Sequence, residues 1–144
     1  ILVYGGGLFT GMARRWKTQF NENAKVWAFF ETIPELLHNA VESYSNIECH
    51  EGQLMALLLL PKVDGIDTDP HCQVLSKLLQ RNGILARILQ GDTTHPLSQL
   101  LGMLLLGDYV SYYLAMLRGV DPSPTPAIQA AKQGLAKLLP EHGN

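Results

Sequence analysis

The sequence predicts an α/β fold: a three-layer arrangement in which a parallel sheet is flanked by helices on both faces, followed by two C-terminal helices. Three observations predict it. Short apolar runs alternate with stretches of helical spacing along the chain. The apolar runs are nearly continuous rather than alternating, the signature of strands buried on both faces. Prolines and glycines stand where helices must start and stop.

Taken in order, ILVYG (1–5) is a buried strand stopped by three glycines. In residues 11–24 Met12, Trp16 and Phe20 recur every fourth position, which predicts a helix. VWAFFE (26–31) is a second strand, and a helix is expected from Pro34 to about Tyr44 with Thr32 as its cap. MALLLLP (55–61) is a third strand. Asp69 and Pro70 open a helix within 67–83 that Gly83 closes. ILARILQG (84–91) is a fourth strand, and helices are predicted over 96–118 and about 125–139, separated by GVDPSPTP.

The chain has 144 residues, enough for one domain with a core that needs no metal or disulfide staple. Charged residues make up 17%, below the usual ~25% of soluble domains, which points to a covered interface. Net charge is −2 with no basic stripe, which excludes a nucleic-acid-binding reading. Cys49 and Cys72 read as reduced thiols, and the histidines lack metal-ligand spacing, so no metal is expected. The apolar segment 97–120 contains Asp108, Gly102 and Gly107, and reads as a buried interface helix rather than a membrane span, with Asp108 bonded across that interface. Because Ile1 already lies in a strand, the sequence is expected to be the second part of a longer protein.

GGGLFTG (5–11) follows a strand and offers two readings, a phosphate cradle or a close strand–helix turn; it lacks GxGxxG and a P-loop lysine. Glu22 lies between Asn21 and Asn23, with no charged neighbour before Lys25. It is a solvated helix-end carboxylate or a general base. His38 is a packing histidine or a proton shuttle, since imidazole titrates near neutrality. Ligands of parallel sheets bind at the carboxyl ends of the strands. His38 follows a strand and belongs to that edge, whereas Glu22 precedes a strand and belongs to the opposite one.

Three stretches, RRWKTQFNENAK (14–25), PELLHN (34–39) and LLGDYVSYYLAMLRGVDPSPTPAIQAAKQGL (105–135), together resemble the C-terminal sugar isomerase (SIS) domain of bacterial and archaeal bifunctional phosphoglucose/phosphomannose isomerases. The resemblance implies an SIS-type, flavodoxin-like domain over 1–144, the C-terminal half of a cytoplasmic protein with two such domains. It implies an aldose–ketose isomerase that converts glucose 6-phosphate or mannose 6-phosphate to fructose 6-phosphate through an enediol, without a cofactor. Glu22 matches the base, His38 the ring-opening residue, and Lys132 a site lysine. Thr125 matches a substrate-binding threonine that leaves room for either C2 epimer. The partners implied are the sugar phosphate and a second copy in a homodimer with shared sites, with no membrane or nucleic acid. Two positions depart from the family pattern: Leu37 replaces asparagine, and the loop reads DPSPTP in place of DPTPV. The phosphate-holding Ser/Thr loop of the family belongs to the preceding domain, so these residues alone are expected to be inactive. A non-catalytic sugar-phosphate-binding module that regulates a partner is the alternative, and a dimerisation domain without activity is a third.

Overall fold

Side chains alternate across the pleat of a strand, and here that alternation creates two cores. The structure, a computed structural model, describes residues 1–46, 53–65 and 69–139. Four parallel strands, β1 (Leu2–Gly6), β2 (Phe29–Ile33), β3 (Met55–Leu60) and β4 (Leu85–Gln90), lie in the order β2-β1-β3-β4. On one face Val3, Leu57 and Leu59 pack with Phe9, Met12, Ala13, Trp16 and Phe20 of α1 (Thr10–Glu22) and its approach, and with Met103 of α3 (Pro96–Leu117). On the other face Tyr4, Ala56, Leu58 and Leu60 pack with Cys72, Leu75 and Leu79 of α2 (Pro70–Arg81). There the buried Tyr44 hydroxyl donates to the Tyr4 hydroxyl at 2.8 Å. A last helix, α4 (Pro126–Leu138), has no buried residue.

The glycine run that ends β1 leads into a close turn. A Cβ at Gly5 would lie 2.4 Å from the Phe9 carbonyl oxygen and 2.8 Å from the Ala13 Cβ. Glycine is therefore what lets α1 lie so near β1. The chain passes through one 3-10 turn, Gly7–Phe9, and enters α1 at Thr10.

The predicted helix from Pro34 to Tyr44 does not form. Two 3-10 segments, Glu35–His38 and Ala40–Asn46, take its place. Asn39 breaks the run with φ −144° and ψ −64°, and its side chain accepts from the Ala40 N–H. The hydroxyls of Ser43 and Ser45 donate to the carbonyls of Ala40 and Glu42, three residues back. Such local side-chain bonds compete with the helical ladder. Thr32 accordingly is no cap but part of β2. β2 also begins later than expected, because Val26 still donates to the Phe20 carbonyl and Trp27 stands 83% exposed.

The ends of α2 and α3 follow the sequence signals. The Asp69 side chain caps α2 through the His71 N–H at 2.8 Å, with Pro70 behind it. Each helix then stops on a left-handed glycine, Gly83 (φ +71°) and Gly119 (φ +65°). In both the following residue reaches back five positions, Ile84 to Leu79 and Val120 to Ala115, the paired-bond stop that satisfies orphan carbonyls.

Helix α3 is long and apolar enough to cross a membrane by length and composition, yet one stripe of it is built into this fold. Met103, Gly107, Ser111 and Ala115, each four apart, are buried. Gly107 lies against the Trp16 indole, whose N–H donates to the Met103 carbonyl at 3.0 Å. Within the chain Asp108 pairs with Arg15 at 3.0 Å and with Gln19, both on α1. Within the single chain this stripe alone is buried, and Leu97, Leu101, Leu105, Tyr109, Tyr113 and Leu117 are exposed.

Two glycines of α3 should respond oppositely to alanine. A Cβ at Gly107 would lie 2.3 Å from the Trp16 Nε1, whereas one at Gly102 meets nothing within 4 Å. Alanine favours a helix by about 1 kcal/mol over glycine, and overpacking costs roughly 1–3 kcal/mol. Gly102→Ala is expected to stabilise by about 0.5–1 kcal/mol and Gly107→Ala to destabilise by about 1–2 kcal/mol. Urea unfolding measures both; equal shifts would deny the close contact with Trp16.

Cys72 allows a pH prediction. Burial, with a smaller contribution from the Asp69 carboxylate, pushes its thiol up from 9.0 to about 12. The unfolded thiol ionises first, so the contribution of Cys72 to stability is constant well below pH 9.0 and is lost as pH rises toward 12. Tyr4 and Tyr44 are also raised, chiefly by burial, and add to the same fall. Cys72→Ala should lessen the fall in urea midpoint between about pH 8 and about pH 10.5, as set by the linkage relation. An identical fall in the variant would place the thiol in water.

Candidate functional site

The NENAK stretch (21–25) ends α1 at the amino edge of the sheet, and nearly every residue in it is engaged. Asn21 Nδ2 donates to the Val26 carbonyl at 2.7 Å. Asn23 Nδ2 donates to the Ser111 hydroxyl at 2.9 Å and so joins α1 to α3. Ala24 is fully buried. Lys25 Nζ donates to backbone carbonyls, that of Glu22 at 2.6 Å, of Pro124 at 2.8 Å and of Pro122 at 3.4 Å. Glu22 is the exception: among the described residues its exposed carboxylate makes no hydrogen bond and no ion pair.

Beside it lies a cleft of about 280 Å³, lined by Asn21, Glu22, Lys25, Thr125 and Ile128 among others. The opposite wall is the loop that leaves Gly119 and enters α4. Asp121 shapes it by accepting from the Ser123 N–H at 2.9 Å. Thr125 is half-buried at the head of α4, and its side chain does not cap the helix. The cleft thus presents a carboxylate and a hydroxyl between apolar proline, alanine and isoleucine surfaces.

The structure brings Glu22 and Thr125 to one cleft. Lys132 follows on α4, about two turns beyond Thr125 and on the same helical face; its side chain is exposed. His38 stands elsewhere, exposed, in the 3-10 segment just after β2. Helix α1 has 13 residues, roughly 20 Å of helix, and carries the chain from the carboxyl edge back to the amino edge. Glu22 and His38 therefore lie at opposite edges of this sheet. Cys49, His50 and His142 fall outside the described residues.

Lys25 is a residue that the sequence pattern does not single out. It is the one non-glycine with positive φ (+54°) among the described residues. A left-handed backbone costs a residue with a side chain about 1–2 kcal/mol. The only signal in the sequence is its place at a helix end, where the stops of α2 and α3 carry glycine.

Residues 1–135 match the family described as "Bacterial phospho-glucose isomerase C-terminal SIS domain". The chain is 35% identical to a bifunctional phosphoglucose/phosphomannose isomerase of Aquifex aeolicus, over 94% of its own length and 42% of that protein. It is 33% identical to the protein of that name from Thermoplasma volcanium, again over 94% of the chain and 42% of the relative. The chain thus spans well under half the length of these relatives. A glucose-6-phosphate isomerase-like protein from Thermus thermophilus shares the fold, with a TM-score of 0.62 and 20% identity over 87% of this chain and 42% of that one.

Proposed function

The chain belongs to the bacterial phospho-glucose isomerase C-terminal SIS domain family, and from that premise we propose that it supplies the proton-transfer residues of an aldose–ketose isomerase acting on glucose 6-phosphate and mannose 6-phosphate. The observation that carries this reading is Glu22. Its neighbours are bound to the fold, while its carboxylate lines a cleft with no cation paired to it among the described residues.

In the open-chain aldose, Glu22 takes the proton from C2. The electron pair of that C–H bond forms the C1–C2 double bond, and the carbonyl pair moves to O1. A proton passes from O2 to O1, and Glu22 returns its proton to C1 as O2 becomes the ketose carbonyl. A carboxylate suits this role because it can accept and return one proton without leaving the site. Lys132 would stabilise the negative charge developing on oxygen, and Thr125 would face C2, where the two aldoses differ. His38 would move the proton that opens the sugar ring.

His38 and Glu22 of one chain stand at opposite edges of one sheet, which favours a partner's His38 as the one that serves Glu22. On this reading a two-fold axis brings His38 of one protomer to Glu22 of its partner, giving two composite sites per dimer. The exposed apolar rows of α3 and the unburied α4 support such an association.

The test is the full-length protein assayed with fructose 6-phosphate, following both aldose products. Glu22→Gln is expected to fold normally and to lose about 10²- to 10⁴-fold in turnover. Activity above about a tenth of wild type, with KM unchanged, removes Glu22 from the base role.

A mixture of Glu22→Gln and His38→Ala proteins tests the shared site. After random subunit exchange about half of the dimers are mixed, and each holds one intact site and one doubly defective site. Recovery should approach roughly a quarter of wild-type activity on that symmetry argument. A mixture as inactive as its parents, with exchange shown by mass spectrometry, would mean that both residues act within one chain.

A further inference from the structure

We infer that Lys25 is a positioning residue, whose ammonium ties the end of α1 to the loop before α4 and so sets the spacing between Glu22 and Thr125. The inference deepens the isomerase reading and rests on it.

Two independent observations meet at this side chain. The first is its set of partners. An ammonium group has three donors and no acceptor, and here the acceptors are three carbonyls: Glu22 at 2.6 Å, Pro124 at 2.8 Å and Pro122 at 3.4 Å. One belongs to α1 and two to the loop. The loop carries prolines at 122 and 124, and Pro126 opens α4 directly after it. Proline has no N–H, so this stretch is rich in acceptors and poor in donors. It has little means of binding itself to α1 through its own backbone, and a cation placed between the two supplies the missing donors.

The second observation is the backbone. Lys25 holds φ +54° three residues past the end of α1, while the left-handed residues that follow α2 and α3 are Gly83 and Gly119. Glycine would make this turn without strain. A lysine here is unfavourable for the backbone, so it is the side chain that the fold uses. That side chain also leaves the carboxylate alone: Lys25 bonds the Glu22 carbonyl, and no ion pair joins it to the Glu22 side chain. The arrangement fixes where Glu22 sits without neutralising the group that would accept the proton.

The consequence is geometric. Glu22 and Thr125 line one cleft from two elements that are far apart in sequence. Helix α4 has no buried residue to hold its own position. Loss of the Lys25 contacts would free the loop, and a displacement of about 1 Å at a reacting centre can cost on the order of 10²-fold in rate.

The experiment compares Lys25→Gly and Lys25→Arg in the full-length protein. Lys25→Gly removes the ammonium and relieves the backbone. Its melting temperature is expected to equal or exceed that of wild type, while amide hydrogen exchange across residues 120–129 quickens about tenfold or more, as for a locally released segment. Turnover with fructose 6-phosphate should fall about 10- to 100-fold with KM within about threefold, the pattern of lost positioning. Lys25→Arg keeps a cation over the carbonyls and should recover most of both properties. Turnover of Lys25→Gly within about twofold of wild type overturns the positioning role, and unchanged exchange overturns the tie itself. An arginine variant as impaired as the glycine variant overturns the part given to charge. If wild-type protein does not turn over sugar phosphate, the isomerase reading fails by itself and positioning fails with it, while the exchange comparison still decides whether Lys25 holds the loop.

Discussion

The geometry of the cleft depends on how closely α1 and α3 pack around Trp16. Its indole is buried between the two helices, donates to the Met103 carbonyl at 3.0 Å and lies against the bare backbone of Gly107. Gly5 does the same on the sheet side by letting α1 settle onto β1. These glycines remove a layer of side chain where bulk would separate the elements. With α1 held this way, Glu22 must emerge at the amino edge of the sheet. With α3 held against α1, its C-terminal stop must deliver the 120–125 loop to the same place. The Arg15–Asp108–Gln19 group repeats the α1–α3 contact beside Trp16, and Asn23–Ser111 repeats it at the end of α1 next to Glu22. The Arg15–Asp108 pair is more than a third exposed on both sides, so its contribution is small and lies in register more than in stability.

Much of this fold was legible because its signals are local. β1 and β3 are buried on both faces, so a continuous apolar run announced each of them. Asp69, Pro70 and Gly83 mark the two ends of α2, because cap and stop chemistry is written in single residues. The segment after β2 departs from its pattern where local chemistry opposes it. Leu36 and Tyr44 have a helix-like apolar spacing, but Asn39 takes the Ala40 N–H for itself. Trp27 looks like part of a strand because an aromatic suits one, yet it precedes β2 and is exposed. The partners of Asp108 were not legible at all. They come from α1, far away in sequence, and only the packing of the two helices brings them together.

The site divides in the same way. The isolation of Glu22 could be read from its asparagine neighbours, and the structure shows those asparagines turned to the fold instead. The opposite placement of Glu22 and His38 followed from the direction of the parallel strands, since one residue precedes β2 and the other follows it, which needs no side-chain detail. That Thr125 shares a cleft with Glu22 was implied only by the family resemblance and not by the pattern of residues around either. The shared cleft depends on Lys25, whose partners are carbonyls, and every residue has a carbonyl. A donor that recognises backbone leaves no complementary residue type for a pattern to detect.

In this chain the Glu22 carboxylate is exposed to water. On the isomerase reading it must be covered before it can take a proton from carbon, since removing water strengthens the electrostatic interactions within a site. The same chain leaves the leucines and tyrosines of α3 exposed, with Ile128 and Leu135 on α4. Of these, Ile128 lines the Glu22 cleft itself, while Leu105, Tyr109 and Tyr112 line a separate hollow with Gln19 and Asn23 of α1 and its end. Covering them would be favourable by roughly 25 cal/mol per Å² of apolar surface. It would also withdraw water from the carboxylate. Association and activation of the base would then be one event, driven by the hydrophobic surface and expressed at Glu22. The low charge content of the sequence fits this arrangement, because a surface that must be covered carries few charges that covering would strand.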